Sequence, residues 1–242
     1  MQLAQLELRI RNETELSFSP YPRLDTDYSY RLTVSRSSGR AVAEASSQYG
    51  LMYAMETFVQ LVDQHRGALR ASEIIVDDSP GYKWRGLMLD SGRRFVPLPT
   101  VKNLVDTMAA VKLNVLHLHA SDFCRFGVES KKHPNLTASL TGIHAGFYTQ
   151  QDIKACQAMQ PFLLHTPTHT DGMHDPQDLV EYAANAGVRV VPEFDVPGHS
   201  RGFRPLVSEG VQFCRGGAAD VNQLYNDPAG KTFAVVRDVL EV

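Results

Sequence analysis

The chain has 242 residues, 43% of them hydrophobic and 21% charged, with a formal net charge of −3. This composition belongs to a globular protein with a substantial core, and the acidic balance argues against nucleic acid as a partner, which needs a concentrated basic face. No apolar run is long enough to span a bilayer, and residues 1–9 lack the basic start and apolar stretch of a secretion signal.

The first predicted strand is 28–35, where aromatic or apolar residues alternate with polar ones. Ser46 and Ser47 are suited to cap a helix running to about residue 64. Leu51, Met55, Phe58 and Val62 are expected on its buried side, with Met52 and Val59 widening the stripe. Another short strand covers 72–76, and the turn-rich stretch 77–81 closes a small α+β domain expected over residues 1–80.

From Trp84 the pattern becomes strand, helix, strand, helix, which implies βαβ units and a parallel sheet. Strand 85–90 precedes a helix over 99–111, whose apolar stripe is Val101, Leu104, Val105, Met108 and Val111. Strand 114–120 follows, then a long loop over 121–148, a length that usually signals function. Thr149 is expected to cap a helix starting at 150. Pro161, Pro167, Gly172 and Pro176 forbid a continuous helix, and helical periodicity resumes at 178–187, with Gly187 as the C-terminal cap. Removing 156–177 splices the two flanks into one ordinary helix, so 156–177 reads as an atypical insertion. A strand over 188–195, a loop over 196–227 and a helix from 231 complete the chain. The architecture expected for 81–242 is a partial (β/α)8 barrel, about its first three βα units, preceded by the small α+β domain.

Three apolar runs end in groups that carry chemistry. The first ends at Asp90 with Gly92, Arg93 and Arg94 beyond it; the second carries His117 and His119 and ends near Asp122; the third carries Glu193 and Asp195 before Pro197, Gly198 and His199. In a parallel α/β barrel the carboxyl ends of the strands build the site. Glu193 and Asp195 are two apart and so are expected on one side of their strand, where buried acids need partners; Arg93 and His199 are the partners expected. His117 and His119 share a face in the same way and read equally as core histidines or site residues. Each candidate also has a plainer reading: Arg93 as a surface arginine, Asp122 as a turn former, His199 as a loop histidine bonded to a carbonyl. Cys124, Cys156 and Cys214 form no metal-ligand spacing. They are either free thiols or part of an oxidised protein whose partner lies outside the chain, and the odd count fits a truncated chain.

These residues in this order resemble glycoside hydrolase family 20, the β-N-acetylhexosaminidases, and most closely the eukaryotic lysosomal type. The carriers are Asp78-Ser79-Pro80 with Trp84-Arg85-Gly86, Leu89-Asp90-Ser91-Gly92-Arg93, the run from Lys112 to His119, and Pro192-Glu193-Phe194-Asp195-Val196-Pro197-Gly198-His199. Tyr49-Gly50 and the run from Glu56 to Leu61 are similar to the helix of the family's accessory domain. The resemblance covers most of the chain apart from 156–177.

The resemblance implies removal of terminal N-acetylglucosamine or N-acetylgalactosamine with retention, the nucleophile being the substrate's own 2-acetamido oxygen. It implies that Arg93 binds sugar hydroxyls and that Asp122 and His199 line the site, with Glu193, Asp195 and His119 in support. It implies no cofactor and no metal, glycans or glycoconjugates ending in N-acetylhexosamine as partners, and a lysosomal or secreted setting, and it leaves dimerisation of the full-length family member open. It also implies an unpaired Cys214, because the matching family cysteine bonds a residue further along. Two departures stand out. The second acid of the family's Asp-Asp pair is Phe123 here. The family's His-x-Gly-Gly-Asp-Glu strand, which supplies the orienting Asp and the acid Glu, has no counterpart; Gly216-Gly217-Ala218-Ala219-Asp220 is a lookalike without the Glu. The chain is therefore expected to be an inactive amino-terminal fragment, the alternative being a non-catalytic carbohydrate-binding or regulatory remnant.

One competing reading concerns 156–177. His165, His169, His174, Asp171 and Asp175 crowd it and suggest a metal site, but nothing there forms a rigid ligand-bearing element. Non-native coding sequence, such as a retained intron translated in frame, accounts for it more simply.

Overall fold

A computed structural model describes residues 5–11, 20–35, 37–63, 68–69, 72–123, 125–138, 140–142, 145–153, 178–214 and 222–240. The insertion 156–177, Cys124, Cys156 and the Gly216–Asp220 lookalike lie outside the described residues. The chain divides into two compact units. One is Met1–Arg85 with Thr107–Asn114 and Gly187–Arg189; the other is Gly86–Asp106 with Val115–Ala186 and Val190–Val242.

In chain order the first unit contains β1 (Gln5–Ile10), β2 (Tyr30–Ser35), β3 (Arg40–Ala45), α1 (Gln48–Leu61), β4 (Val62–Asp63), β5 (Ala68–Leu69) and β6 (Glu73–Asp78). Four of the strands form a sheet in the order β1-β3-β2-β6, with β1 parallel to β3 and β2 antiparallel to both its neighbours. The alternation read from 28–35 is real: Tyr30, Leu32 and Val34 are buried against Ala41, Ala43 and Ala45. Each fully buried Leu or Val contributes about 1.5–3 kcal/mol relative to exposure. Ser47 caps α1, its side chain accepting from the Gly50 amide at 3.0 Å.

The buried face of α1 differs from the expected stripe. It is Tyr49, Leu51, Tyr53 and Ala54, with Met52 and Phe58 partly buried, while Val59 is exposed. The tyrosines were the missing signal. Their rings fill the core, and their hydroxyls find partners: Tyr49 donates to the carbonyl of Pro20, and Tyr53 to that of Lys112. Burial pushes the Tyr49 hydroxyl up to about 12.

The remaining elements are β7 (Gly86–Asp90), α2 (Leu98–Ala110), β8 (Val115–Ser121), α3 (Asn135–Ala138), α4 (Gln150–Ile153), α5 (Leu179–Asn185), β9 (Arg189–Phe194), a 3-10 helix over Ser200–Glu209, and α6 (Lys231–Leu240). The three strands form one sheet in the order β7-β8-β9. β7 and β8 are parallel, with Asp90 opposite His119. β9 runs the same way as β8: the Arg189 amide donates to the Asn114 carbonyl at their starts, and the Asp195 amide to Ser121 Oγ at their ends. On α2, Val101, Val105 and Met108 are buried as expected, whereas Val111 lies past its end and is exposed. Thr149 and Asp152 cap α4 reciprocally: the Asp152 amide donates to Thr149 Oγ1 and the Thr149 amide to Asp152 Oδ2. Gly187 follows α5 in left-handed geometry. The stretch read as a loop over 196–227 contains the 3-10 helix, whose buried Phe203 and Leu206 anchor it despite Pro205.

Candidate functional site

The sheet edge that carries the acids is built by strand alternation. On β8, Leu116, Leu118 and Ala120 are fully buried on one face, which leaves His117, His119 and Ser121 on the other. Asp90 is the last residue of β7, Asp122 follows β8, and Asp195 follows β9. All three strands therefore deliver an acid at the same end.

The turn after β7 is bonded to the end of β8. The amides of Ser91 and Gly92 and the Ser91 hydroxyl all donate to the His119 carbonyl, at 2.9, 2.8 and 3.0 Å. That turn presents Arg93. Its amide donates to Asp90 Oδ1 at 3.0 Å, one guanidinium nitrogen lies 2.7 Å from Asp90 Oδ2, and another lies 2.9 Å from Asp122 Oδ2. Arg93 is 56% exposed at its side chain and Asp122 is 1% exposed, so a buried carboxylate orients a partly exposed cation.

Two glycines let Asp122 sit there. A Cβ on Gly92 would lie 2.7 Å from the Ser121 carbonyl carbon and 2.9 Å from the Asp122 amide nitrogen. A Cβ on Gly202 would lie 3.0 Å from the Asp122 carbonyl oxygen and 2.7 Å from that of Arg125. The Asp122 peptide is held between these two bare backbones, and Gly202 was not legible as a site residue in the sequence.

His119 lies at the centre. Its Nε2 is 2.9 Å from Asp122 Oδ2, and its Nδ1 is 2.8 Å from Glu193 Oε2. Carboxylate oxygens only accept, so both ring nitrogens are protonated in this arrangement. Burial opposes the charge, but the hydrogen bonds to Glu193 and Asp122 outweigh it and raise the His119 pKa above its ordinary value. The same exchange lowers the acids. Burial works to raise Asp122, and the Phe123 amide, His119 and Arg93 pull it down. Burial works to raise Glu193, and His119 and His117 pull it down. His117 Nε2 is 2.5 Å from the same Glu193 oxygen.

This corrects one expectation. Glu193 takes His117 and His119 as partners, not Arg93; the guanidinium is held by Asp90 and Asp122 instead. His199 does pair with an expected acid: its Nδ1 lies 2.8 Å from Asp195 Oδ2. Asp195 sits one residue beyond β9, where Ser121 Oγ accepts from its amide and the Ser200 hydroxyl donates to its carbonyl. His199 adopts φ 50°, uncommon for a residue with a Cβ, and stays 57% exposed at its side chain. The structure thus brings together Arg93, Asp122, His119 and Glu193, with Asp195 and His199 beside them. Asp122, Asp195 and His199 offer ligand atoms within 4.8 Å of one another. His117, the serines and Gly202 complete the set. The serines carry no sequence signal, because their role depends on which strand lies alongside.

Two trios, His119 with Glu193 and Asp195 and His119 with Asp90 and Asp122, also bring potential ligand atoms within 4.8 Å. Their carboxylates already receive N–H groups from Arg93 and the histidines, which makes the cluster an ion-pair network. The site is built to hold charge in fixed places. Asp122 and Glu193 are kept ionised, the reverse of what a general acid requires. The partly exposed guanidinium of Arg93 and the exposed ring of His199 carry groups of the kind that bond hydroxyls. Cys214 is a free cysteine, partly buried, with its thiol 3.6 Å from the Leu224 carbonyl. No helix among the described residues is long and apolar enough to cross a membrane.

The family model described as "Glycosyl hydrolase family 20, catalytic domain" matches residues 82–241. The chain belongs to glycosyl hydrolase family 20. It is 32% identical over 216 residues to "Beta-hexosaminidase subunit A1" of Dictyostelium discoideum, covering 87% of this chain and 36% of that protein. It is 34% identical over 203 residues to "Beta-hexosaminidase subunit beta" of Mus musculus, covering 84% of this chain and 33% of that protein. The chain spans about a third of the length of these relatives. Among solved structures, the N-acetyl-beta-hexosaminidase of Streptomyces plicatus superposes with a TM-score of 0.67 at 26% identity, over 97% of this chain and 44% of that one. The beta-N-acetylhexosaminidase from Bacteroides fragilis NCTC 9343 superposes with a TM-score of 0.69 at 24% identity, a likeness of fold, over 98% and 42%. These family 20 neighbours give the mixed α/β chain a TIM-barrel-type glycosidase fold.

Proposed function

We propose that this chain is the substrate-holding part of a β-N-acetylhexosaminidase. Residues 81–242 supply about the first three βα units of a (β/α)8 barrel, and residues 1–80 an accessory domain. Arg93 grips hydroxyls of a terminal N-acetylglucosamine or N-acetylgalactosamine, Asp122 and His199 line the same pocket, and His119, Glu193 and Asp195 hold them in place. The observation that supports this reading is the two-sided hold on Arg93, 2.7 Å from Asp90 and 2.9 Å from the buried Asp122, which pre-orients a partly exposed fork at the end of the strands. Orientation fixed before binding is not lost entropy on binding.

In the complete enzyme, hydrolysis is retaining and substrate-assisted, the 2-acetamido oxygen attacking while a Glu with raised pKa protonates the leaving oxygen. The sequence contains no His-x-Gly-Gly-Asp-Glu motif, so the chain alone is inactive. A lysosomal or secreted setting rests on the resemblance alone. The test is binding of N-acetylglucosamine to the 242-residue chain by saturation-transfer NMR, paired with a chromogenic N-acetylglucosaminide assay. Binding that Arg93→Ala removes, without turnover, is expected. Absence of binding overturns the site assignment; turnover that survives purification and is lost in Arg93→Ala overturns the inactivity.

A further inference from the structure

Apart from the network around His119, one more histidine is enclosed among acids. His133 is 8% exposed and lies two residues before α3. Its amide donates to Ser130 Oγ at 3.2 Å. Its Nδ1 is 2.9 Å from Oε2 of Glu209, the last residue of the 3-10 helix, and its Nε2 is 3.6 Å from Oδ2 of Asp238 on α6. The other oxygens of these acids are held from the same segment: Asn135 Nδ2 donates to Glu209 Oε1 at 3.0 Å, and Lys132 Nζ lies 3.5 Å from Asp238 Oδ1. All of these residues belong to the second unit.

The two ring nitrogens are not equivalent. A carboxylate only accepts, so Nδ1 carries the proton that bonds Glu209, and that bond holds the Glu209 carboxyl below its ordinary value. Nε2 is buried and makes no hydrogen bond among the described residues; Asp238 is its nearest acid and stands beyond hydrogen-bond range. In the neutral ring a bare lone pair faces a carboxylate, which leaves a buried acceptor unsatisfied. In the protonated ring an N–H faces the same carboxylate, and a small approach completes a charge-assisted bond. The other charged side chains on these elements are Arg201 and Arg204 on the 3-10 helix, Lys231 and Arg237 on α6, and Glu129 and Lys131 on the segment of His133 itself. The cations among them work against a charge on the ring, so the direction rests on Glu209 and Asp238.

The start of α6 is fixed without any histidine. Asp227 accepts from the amides of Lys231 and Thr232 at 3.1 and 2.8 Å, and the Gln212 amide donates to Thr232 Oγ1 at 3.0 Å. Asp238 ties the last turn instead. We propose that His133 is an acid-closed latch: on protonation it draws in Asp238 and binds the last turn of α6, through Glu209, to the 3-10 helix. That helix carries Gly202, whose amide donates to the Asp122 carbonyl at 3.2 Å, so the latch steadies the far end of an element that backs the candidate site. The proposal does not depend on the sugar-site reading.

Amide hydrogen exchange of the 242-residue chain, followed by NMR between about pH 5 and pH 8 and corrected for intrinsic rates, tests it. The readout is the protection of the Asp238, Val239 and Leu240 amides relative to those of Leu104 and Val105 on α2, a ratio that cancels any global loss of stability. The ratio is expected to fall about tenfold from the acid to the alkaline end, the worth of one charge-assisted bond. His133→Gln still donates to Glu209 but does not titrate, and its ratio should stay flat. Asp238→Asn should flatten it as well, because an amide serves either state of the ring. Should His133→Gln lose its cooperative thermal transition, Asp238→Asn alone carries the comparison. A wild-type ratio that is constant or rises with pH overturns the latch, and so does the same fall in either variant.

Discussion

His119 Nε2 lies 2.9 Å from Asp122 Oδ2, the same oxygen that Arg93 approaches to 2.9 Å from outside. One buried carboxylate oxygen thus joins a partly exposed arginine to an interior histidine, whose other nitrogen is 2.8 Å from Glu193. The site is a chain of alternating charges, Glu193 to His119 to Asp122 to Arg93, and its integrity depends on the protonation of every link.

The pH dependence of stability follows from those links. The His119 pKa is raised from 6.5, so its contribution is complete below that value and is lost as pH rises through the higher folded-state value. Asp122 and Glu193 are lowered from 3.8 and 4.5, so their contributions are present above those values and are lost as pH falls through the lower folded-state ones. Thermal unfolding followed from about pH 3 to pH 9 should peak between the carboxylate range and the ordinary histidine value. His119→Gln should remove most of the alkaline decline. An alkaline slope identical in the variant would assign it to other groups.

Asp122 should be the costlier of the two residues to remove. Asp122→Ala leaves Arg93 and the enclosed His119 facing an empty acceptor position, a loss of about 3 kcal/mol. Arg93→Ala leaves Asp122 with His119 and the Phe123 amide, and should cost about 1 kcal/mol while abolishing sugar binding. Urea denaturation of both variants, with binding measured alongside, separates the structural role from the recognition role.

Gly92→Ala should weaken sugar binding without touching a polar group. Its new Cβ must displace the Ser121–Asp122 peptide, which it would otherwise approach to 2.7 Å. Overpacking of this kind costs about 1–3 kcal/mol, and the shift moves the carboxylate that orients Arg93. Binding retained at wild-type affinity would show that the peptide can yield without moving Asp122.

Within the first unit, Asn114 ties together the backbone at Lys83 and Arg85. It is 2% exposed; its Oδ1 accepts from the Arg85 amide at 2.9 Å, and its Nδ2 donates to the Lys83 carbonyl at 2.9 Å. Asn114→Ala strands both backbone groups and should cost about 2 kcal/mol. Asn114→Asp should be worse, because it cannot donate to Lys83 and buries a charge. Chemical denaturation of the two variants checks both the size and the order.

Local sequence was enough to determine what local physics controls. The alternation of Tyr30, Leu32 and Val34, the caps at Ser47 and Thr149, the Gly187 stop and the three apolar runs ending near Asp90, Asp122 and Asp195 are all short-range patterns, and each is realised in the fold. Period-2 spacing also placed His117 and His119 on one face. Only the tertiary structure decided which charges meet. Glu193 is more than 70 residues from both histidines (76 and 74 in sequence) and reaches them because β9 lies alongside β8; that adjacency, not the spacing within β9, took Glu193 away from Arg93. The buried face of α1 moved to Tyr49 and Tyr53 because distant carbonyls at Pro20 and Lys112 could accept from their hydroxyls. The 3-10 helix depends on Phe203 and Leu206 finding a core, and Gly202 on the approach of a loop some 80 residues earlier in the chain. Partner choice among charged groups is a property of strand adjacency and of close backbone contact, and neither is written within the span of a single element.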